Sequence, residues 1–200
     1  YFPIRIISGT NILIEDVEVD GGGFSSKGIQ IDGGSVTIRR INLHDSEDGI
    51  HMSGSGPIVL EDSYIHSPRH ASSGHSDGLE IEAVSNVTIR NNNLHYAGAN
   101  TSATMIDNYF GAVTNLVFEG NWLSGGAYNM YIDGNFSSSL ISNLKIRNNR
   151  WIRNSAQYGP LIVRGALSSI CWEGNVYDDN GQVLNYGGPS QVSCPATSSP

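Results

Sequence analysis

Seven stretches of this chain can be laid over one another: NILIEDVEV, SVTIRRINL, PIVLEDSYI, NVTIRNNNL, NLVFEGNWL, NLKIRNNRW and SICWEGNVY. Their first apolar residues are Ile12, Val36, Ile58, Val87, Leu116, Leu144 and Ile170, which sets steps of 24, 22, 29, 29, 28 and 26 residues. Within each stretch apolar side chains alternate with Glu, Arg, Thr or Lys, the period of a strand and not of a helix. One such unit cannot bury its apolar side alone. The chain must therefore coil, each unit stacking on the last, and the architecture is a β-solenoid.

A further short strand follows in most units, as GIQI, GIHM, GLEI, a less clear stretch near Met105, NMYI and PLIV. Two or three strands per turn, with length variation confined to the joints, describe an all-β, right-handed parallel β-helix of about seven coils, roughly 34 Å long at about 4.8 Å per coil. Over about residues 8 to 180 the pattern resembles the pectate-lyase-like superfamily. That resemblance implies the fold; many activities share it, so it leaves the chemistry open. The expected layout is a helix over residues 1–180 and a tail over 181–200 whose Ser- and Pro-rich end, CPATSSP, reads as the start of a linker.

Composition narrows the partners. Eleven Lys and Arg, scattered along the chain, against 19 Asp and Glu give a net charge of −8, so nucleic acid is excluded for want of a basic stripe. No apolar run approaches the roughly 20 residues of a membrane span, so membrane insertion is not expected. A chain that starts at Tyr1 is expected to be a processed or trimmed piece, with Tyr1 and Phe2 covering the end of the rod unless a preceding coil does. Cys171 falls between two inward residues and so faces outward, where a returning tail would bring Cys194 to it; that disulfide fits an extracellular protein.

Stacked units also stack their side chains. Ser63, Asn92, Asn121, Asn149 and Asn175 form one column at the turn after the first strand, where amides can bond one another and the turn backbone. Ile14, Ile38, Leu60, Ile89, Phe118, Ile146 and Trp172 fill the interior. His44, His66 and His95 form an outward column, and Trp122 is an outward aromatic able to stack on a sugar ring.

Aligning KGIQI, DGIHM and DGLEI puts Lys27, Asp48 and Asp77 in one column, Gln30, His51 and Glu80 in the next, and Asp32, Ser53 and Glu82 beyond. The glycine is explained by a strand entrance that leaves no room for a side chain. The acids are not, because like charges one coil apart repel unless a proton, cation or substrate uses them. A long joint, HSPRHASSGHSDG, brings Arg69, His70 and His75 toward the same strands. Asp77-Gly78 resembles the Asp-Gly element of polygalacturonase-type hydrolases, although the chain has neither their Arg-x-Lys pair nor their Gly-His-Gly segment.

The resulting expectation is an extracellular protein that holds an extended polysaccharide along one strand face and cleaves or modifies it near Asp77, as hydrolase or lyase. Asp77, Asp48, His75, His51 and Glu80 are the catalytic candidates; Arg69, His70, Glu82, Trp122 and Tyr131 are the substrate-binding candidates. No cofactor is required, and a calcium ion on Asp48, Asp77, Glu80 and Glu82 is an optional addition. The alternative is a non-catalytic glycan-binding or adhesion rod, such as a cell-surface or phage tail-fibre module. A monomer is expected for the enzyme and a homotrimer for the fibre module.

Overall fold

The computed structural model describes residues 2–23, 26–69 and 74–195, built of strands and turns without a helix. Each coil carries three strands, so the rod has three faces. The first face holds Ile12–Glu15, Val36–Arg39, residues 58–61 and 87–90, Val113–Glu119, Ile141–Arg147 and Leu167–Glu173. The second runs from Glu18–Asp20 through Tyr64–His66, Asn93–Tyr96 and Trp122–Gly125 to Val176–Tyr177. The third holds Ile4–Ile6, Lys27–Ile31, residues 48–52 and 77–82, Ser102–Asp107, Tyr128–Gly134 and Gly159–Gly165.

Strands stack in parallel, and the first-face register passes from Ile12 to Val36, Ile58, Val87, Leu116, Leu144 and Ile170, the residues that align in the sequence. Seven stacked strands make six full turns, one fewer than the count of repeats. Third and first faces merge where Asp48–Glu61 and Asp77–Arg90 run on as single bent strands. The stretch near Met105 resolves into the regular strand Ser102–Asp107, in register with residues 77–82.

Inside the coils Ile38, Leu60, Ile89, Phe118 and Ile146 are fully buried, together with Leu43, Ile65, Leu94 and Trp151 from the second face. Ile14, near the start of the rod, is half-buried. At the other end Trp172 packs against Trp151 and Tyr186 and donates its Nε1–H to the Leu184 carbonyl at 2.7 Å. The returning chain adds Gln191–Val192 beside Leu167–Glu173, and Cys171 is bonded to Cys194 with Cα atoms 4.9 Å apart. The sheet thus takes in part of the tail.

The corner between first and second faces shows why the repeat favours asparagine. Asp16, Arg40, Asp62, Asn91 and Asn148 each adopt a left-handed conformation (φ 51° to 56°) to turn the chain, a state that short polar side chains tolerate best. After Asp62, Asn91 and Asn148 the next residue, Ser63, Asn92 or Asn149, belongs to the polar column; after Asp16 and Arg40 it is Val17 or Ile41. Asn121 Oδ1 accepts from the backbone N–H and the side-chain amide of Asn92, at 2.9 and 3.0 Å, while Asn121 Nδ2 donates to Asn149 Oδ1 and to the Ile89 carbonyl. Asn149 repeats the pattern with Asn175. Each amide uses both ends on buried partners, so every coil satisfies the polar groups its neighbour's bend leaves over.

Candidate functional site

The polar columns of the third face are laid out as the sequence alignment places them. Lys27 stands beside Asp48, and Asp77 beside Ser102, which is followed by Tyr128 one coil on. The second column runs Gln30, His51, Glu80, Met105 and Tyr131. The third runs Glu82, Asp107, Asp133 and Arg164.

The Asp-Gly pair has a local cause. A Cβ on Gly49 would meet the Gly78 carbonyl oxygen at 2.3 Å and Ile65 Cγ2 at 2.7 Å, and one on Gly78 would meet the Ala103 oxygen at 2.5 Å, so the coils close too tightly for a side chain there. Asp48 and Asp77 then point outward but sink beneath their neighbours, at 7 % and 1 % exposure. Asp48 accepts from the Asp77 N–H at 3.0 Å and from Lys27 Nζ at 2.9 Å. Asp77 accepts from the Ser102 hydroxyl.

Burial governs their titration. It pushes Asp48 up to about 6, with Lys27 opposing and Glu80 adding to the rise, and it pushes Asp77 well above the carboxylate range against the Ser102 hydrogen bond. Lys27 is held above its ordinary value although burial alone would depress it, because Asp48 and Glu80 outweigh that cost. Its Nζ lies 2.5 Å from Glu80 Oε2.

The outermost column is bracketed by arginines: Arg5 pairs with Asp32 and Arg164 with Asp133, each at 2.7 Å. Between them Glu82 is met by His51 Nε2 at 2.6 Å. Asp107, 4 % exposed, has no basic partner among the described residues; its Oδ1 accepts from the Tyr109 N–H at 2.7 Å. Burial first, then Glu82, Glu80 and Asp133, push its carboxyl up to about 7 against that N–H.

A cleft of about 370 Å³ opens over these columns. Asp77, Glu80, Glu82, Met105 and Asp107 form its floor, and His75 stands at its edge. Its wall is aromatic: Tyr109, Phe110 and Phe136 are 60 %, 68 % and 45 % exposed and meet edge-to-face, Tyr109 at 4.8 Å from Phe110 and 5.8 Å from Phe136. Buried Asn108 fixes that wall, since its Oδ1 accepts from the N–H groups of Phe136 and Ser137 and its Nδ2 donates to the carbonyls of Gly134, Ser137 and Ser139. A broader groove of about 840 Å³ lies around Asn42, Tyr64 and Asn93, but its acids, Asp16, Glu18 and Asp62, are exposed.

Of the residues singled out from the sequence, the cleft gathers Asp77, His75, Glu80 and Glu82, with His51 beneath Glu82 and Asp48 beneath Lys27. Tyr131 stands further along the second column, edge-on to Tyr128 and under Arg164. Trp122 is exposed on the second face, between Asn93 and Arg150, and does not reach the cleft. Its outward register was readable, but alternation cannot say which of three faces is meant. Arg69 is exposed, its N–H bonded to the Ser46 carbonyl at 2.8 Å, and does not line the cleft either. His70 lies outside the described residues. The histidine column is real but not uniform: His44 and His66 rings lie 5.3 Å apart, His66 stacks on Tyr64, and His95 bonds Ser124.

For the expected calcium ligands, His51, Glu80 and Glu82 have ligating atoms within 4.8 Å of one another, whereas Asp48 and Asp77 fall outside that group and bond within the rod. Asp107, Asp133 and the aromatic wall were not among the sequence candidates. The signal for Asp107 was present, because Thr104-Met105-Ile106-Asp107 matches Leu79-Glu80-Ile81-Glu82 residue for residue.

Three parallel faces around one apolar core define a parallel β-helix. The family model described as the right handed beta helix region matches residues 4–194, and the chain belongs to that family. No curated protein and no solved structure is significantly similar to it. The fold is consistent with polysaccharide-related and adhesion proteins. Its disulfide fits an oxidising, extracellular-type environment.

Proposed function

We propose that this protein binds an extended polysaccharide across its third face and cleaves or modifies it by proton transfer from Asp107. The observation that carries the reading is the pairing of an exposed aromatic wall, Tyr109, Phe110 and Phe136, with a floor of carboxyls. Aromatic faces stack on the apolar faces of sugar rings, while carboxyls take up their hydroxyls. Asp107 is the donor because a carboxyl near 7 still carries its proton in about half of the molecules at neutral pH and has no basic partner among the described residues to draw it off. Glu80, held by Lys27 through one oxygen, and His75 at the edge receive hydrogen bonds from the glycan.

Incubation with neutral and acidic polysaccharides, with calcium and with chelator, tests the reading. The expected result is shortened chains, with ultraviolet-absorbing unsaturated uronate ends if the step is elimination and without them if it is hydrolysis. Asp107→Asn should lower the rate by at least about a hundredfold, the usual worth of a positioned acid. Retention of a glycan with no change in its length or composition would replace this reading with a second one, a binding module. That reading is favoured by Asp48 and Asp77, whose carboxylates bond within the rod.

A further inference from the structure

His51 is held in one orientation by a relay that starts outside the cleft. Gln30 Nε2 donates to Asp32 Oδ1 at 2.7 Å, so the other end of the amide, Oε1, is what faces His51 Nδ1 at 2.8 Å. An amide oxygen only accepts; Nδ1 therefore carries the proton and donates it. In the neutral ring this leaves Nε2 as a bare lone pair, on a residue 7 % exposed, aimed at another acceptor: Glu82 Oε1 at 2.6 Å, with Glu80 Oε2 at 3.9 Å. Two acceptors, Nε2 and Glu82 Oε1, turned on one point call for a cation or a proton between them, and Glu80 Oε2, which also meets Lys27 Nζ, is the third oxygen within reach of it.

We propose that His51 Nε2, Glu80 and Glu82 bind a first-row divalent transition metal ion, with zinc as the representative. Metal-bound histidines typically donate their other ring N–H to a fixed acceptor, the role Gln30 and Asp32 fill here. Bonds of about 2.1 Å in a tetrahedral set put ligand atoms about 3.4 Å apart, and the observed 2.6 and 3.9 Å straddle that edge. Imidazole beside carboxylates selects zinc and its neighbours over calcium, which takes oxygen ligands alone. The surroundings favour added positive charge, since with His51 as a neutral ligand Glu80 and Glu82 have Lys27 as their one cation within the cluster. Three protein ligands leave a coordination position for water or a sugar hydroxyl. This inference goes beyond the glycan reading and does not rest on it, because the ion is titrated without carbohydrate.

The experiment is calorimetric titration of zinc chloride into the chelator-stripped protein, with histidine ring resonances followed by NMR. One saturable site is expected, with the His51 ring shifting first. Glu80→Gln and, through the relay, Gln30→Leu should each weaken binding by about tenfold or more. Glu80 reaches the cleft surface, so its variant keeps the test valid if the deeper Glu82→Gln does not fold. His44→Asn should change nothing; loss of binding there would assign the zinc to the group of Asp20, His44 and Asp45 on the second face instead. The proposal is overturned by that result, by binding indifferent to Glu80→Gln and Gln30→Leu, or by no saturable binding up to millimolar zinc. In the last case a proton sits between His51 and Glu82.

Discussion

The amide column at the first corner and the acid columns of the third face are both stacks of polar side chains about one coil apart, yet they solve opposite problems. An asparagine offers a donor and an acceptor, so Asn92, Asn121, Asn149 and Asn175 satisfy one another and the bend beside them. A carboxylate offers acceptors alone. A stack of carboxylates must import cations or keep protons, and Asp48, Asp77 and Asp107 keep theirs at pH values where a free carboxyl has lost them. One column closes on itself and serves stability; the other stays chemically unfinished, and it lies under the cleft.

Substitutions can break or sharpen that contrast. Asn121→Ala should be the most damaging: it takes the partner from the Asn92 N–H and the Ile89 carbonyl, buried groups costing about 1–3 kcal/mol each, and leaves the Asn92 amide with the Leu60 carbonyl alone, for a loss of about 4 kcal/mol in denaturant unfolding. Cys194→Ser opens a loop of sequence separation 23 and should cost about 3 kcal/mol, read the same way under oxidising conditions.

Asp107→Asn should act in the other direction. The folded-state pKa of Asp107 is raised, so the native chain binds more protons than the unfolded one, and its contribution to stability falls as pH climbs from about 4 to the folded value of about 7. The asparagine variant should therefore match the parent near pH 4 and exceed it by up to roughly 4 kcal/mol at pH 8, the linkage of that whole shift. An unchanged pH profile would mean that burial does not hold that proton. Phe110→Ala, at an exposed ring, should shift unfolding by less than about 0.5 kcal/mol while lowering glycan retention.

These regions also differ in how much of them the sequence discloses. The amide column is legible because the same residue returns at the same place in units that also share alternation, and the inner column from Ile38 to Ile146 is legible for the same reason. On the third face Lys27, Asp48 and Asp77 align through the glycine that follows each. Coil closure relaxes at Ala103, the glycine marker disappears, and Asp107 is lost from view with it. The aromatic wall comes from the joints at 108–112 and 135–140, which do not repeat, and only the rod's winding brings Phe136 to Tyr109. Gln30 and His51 were visible as column neighbours, but the direction of the amide depends on Asp32, a contact that no pattern encodes.

The central claim, that the third face and not the others is the working surface, is tested most directly by electrophoresis through gels containing a panel of polysaccharides, comparing the parent chain with Phe110→Ala, Glu80→Gln and Trp122→Ala. The account predicts a glycan that retards the parent and Trp122→Ala alike while both third-face variants run as in an empty gel. Retardation that survives both and disappears with Trp122→Ala would move the site to the second face and contradict it.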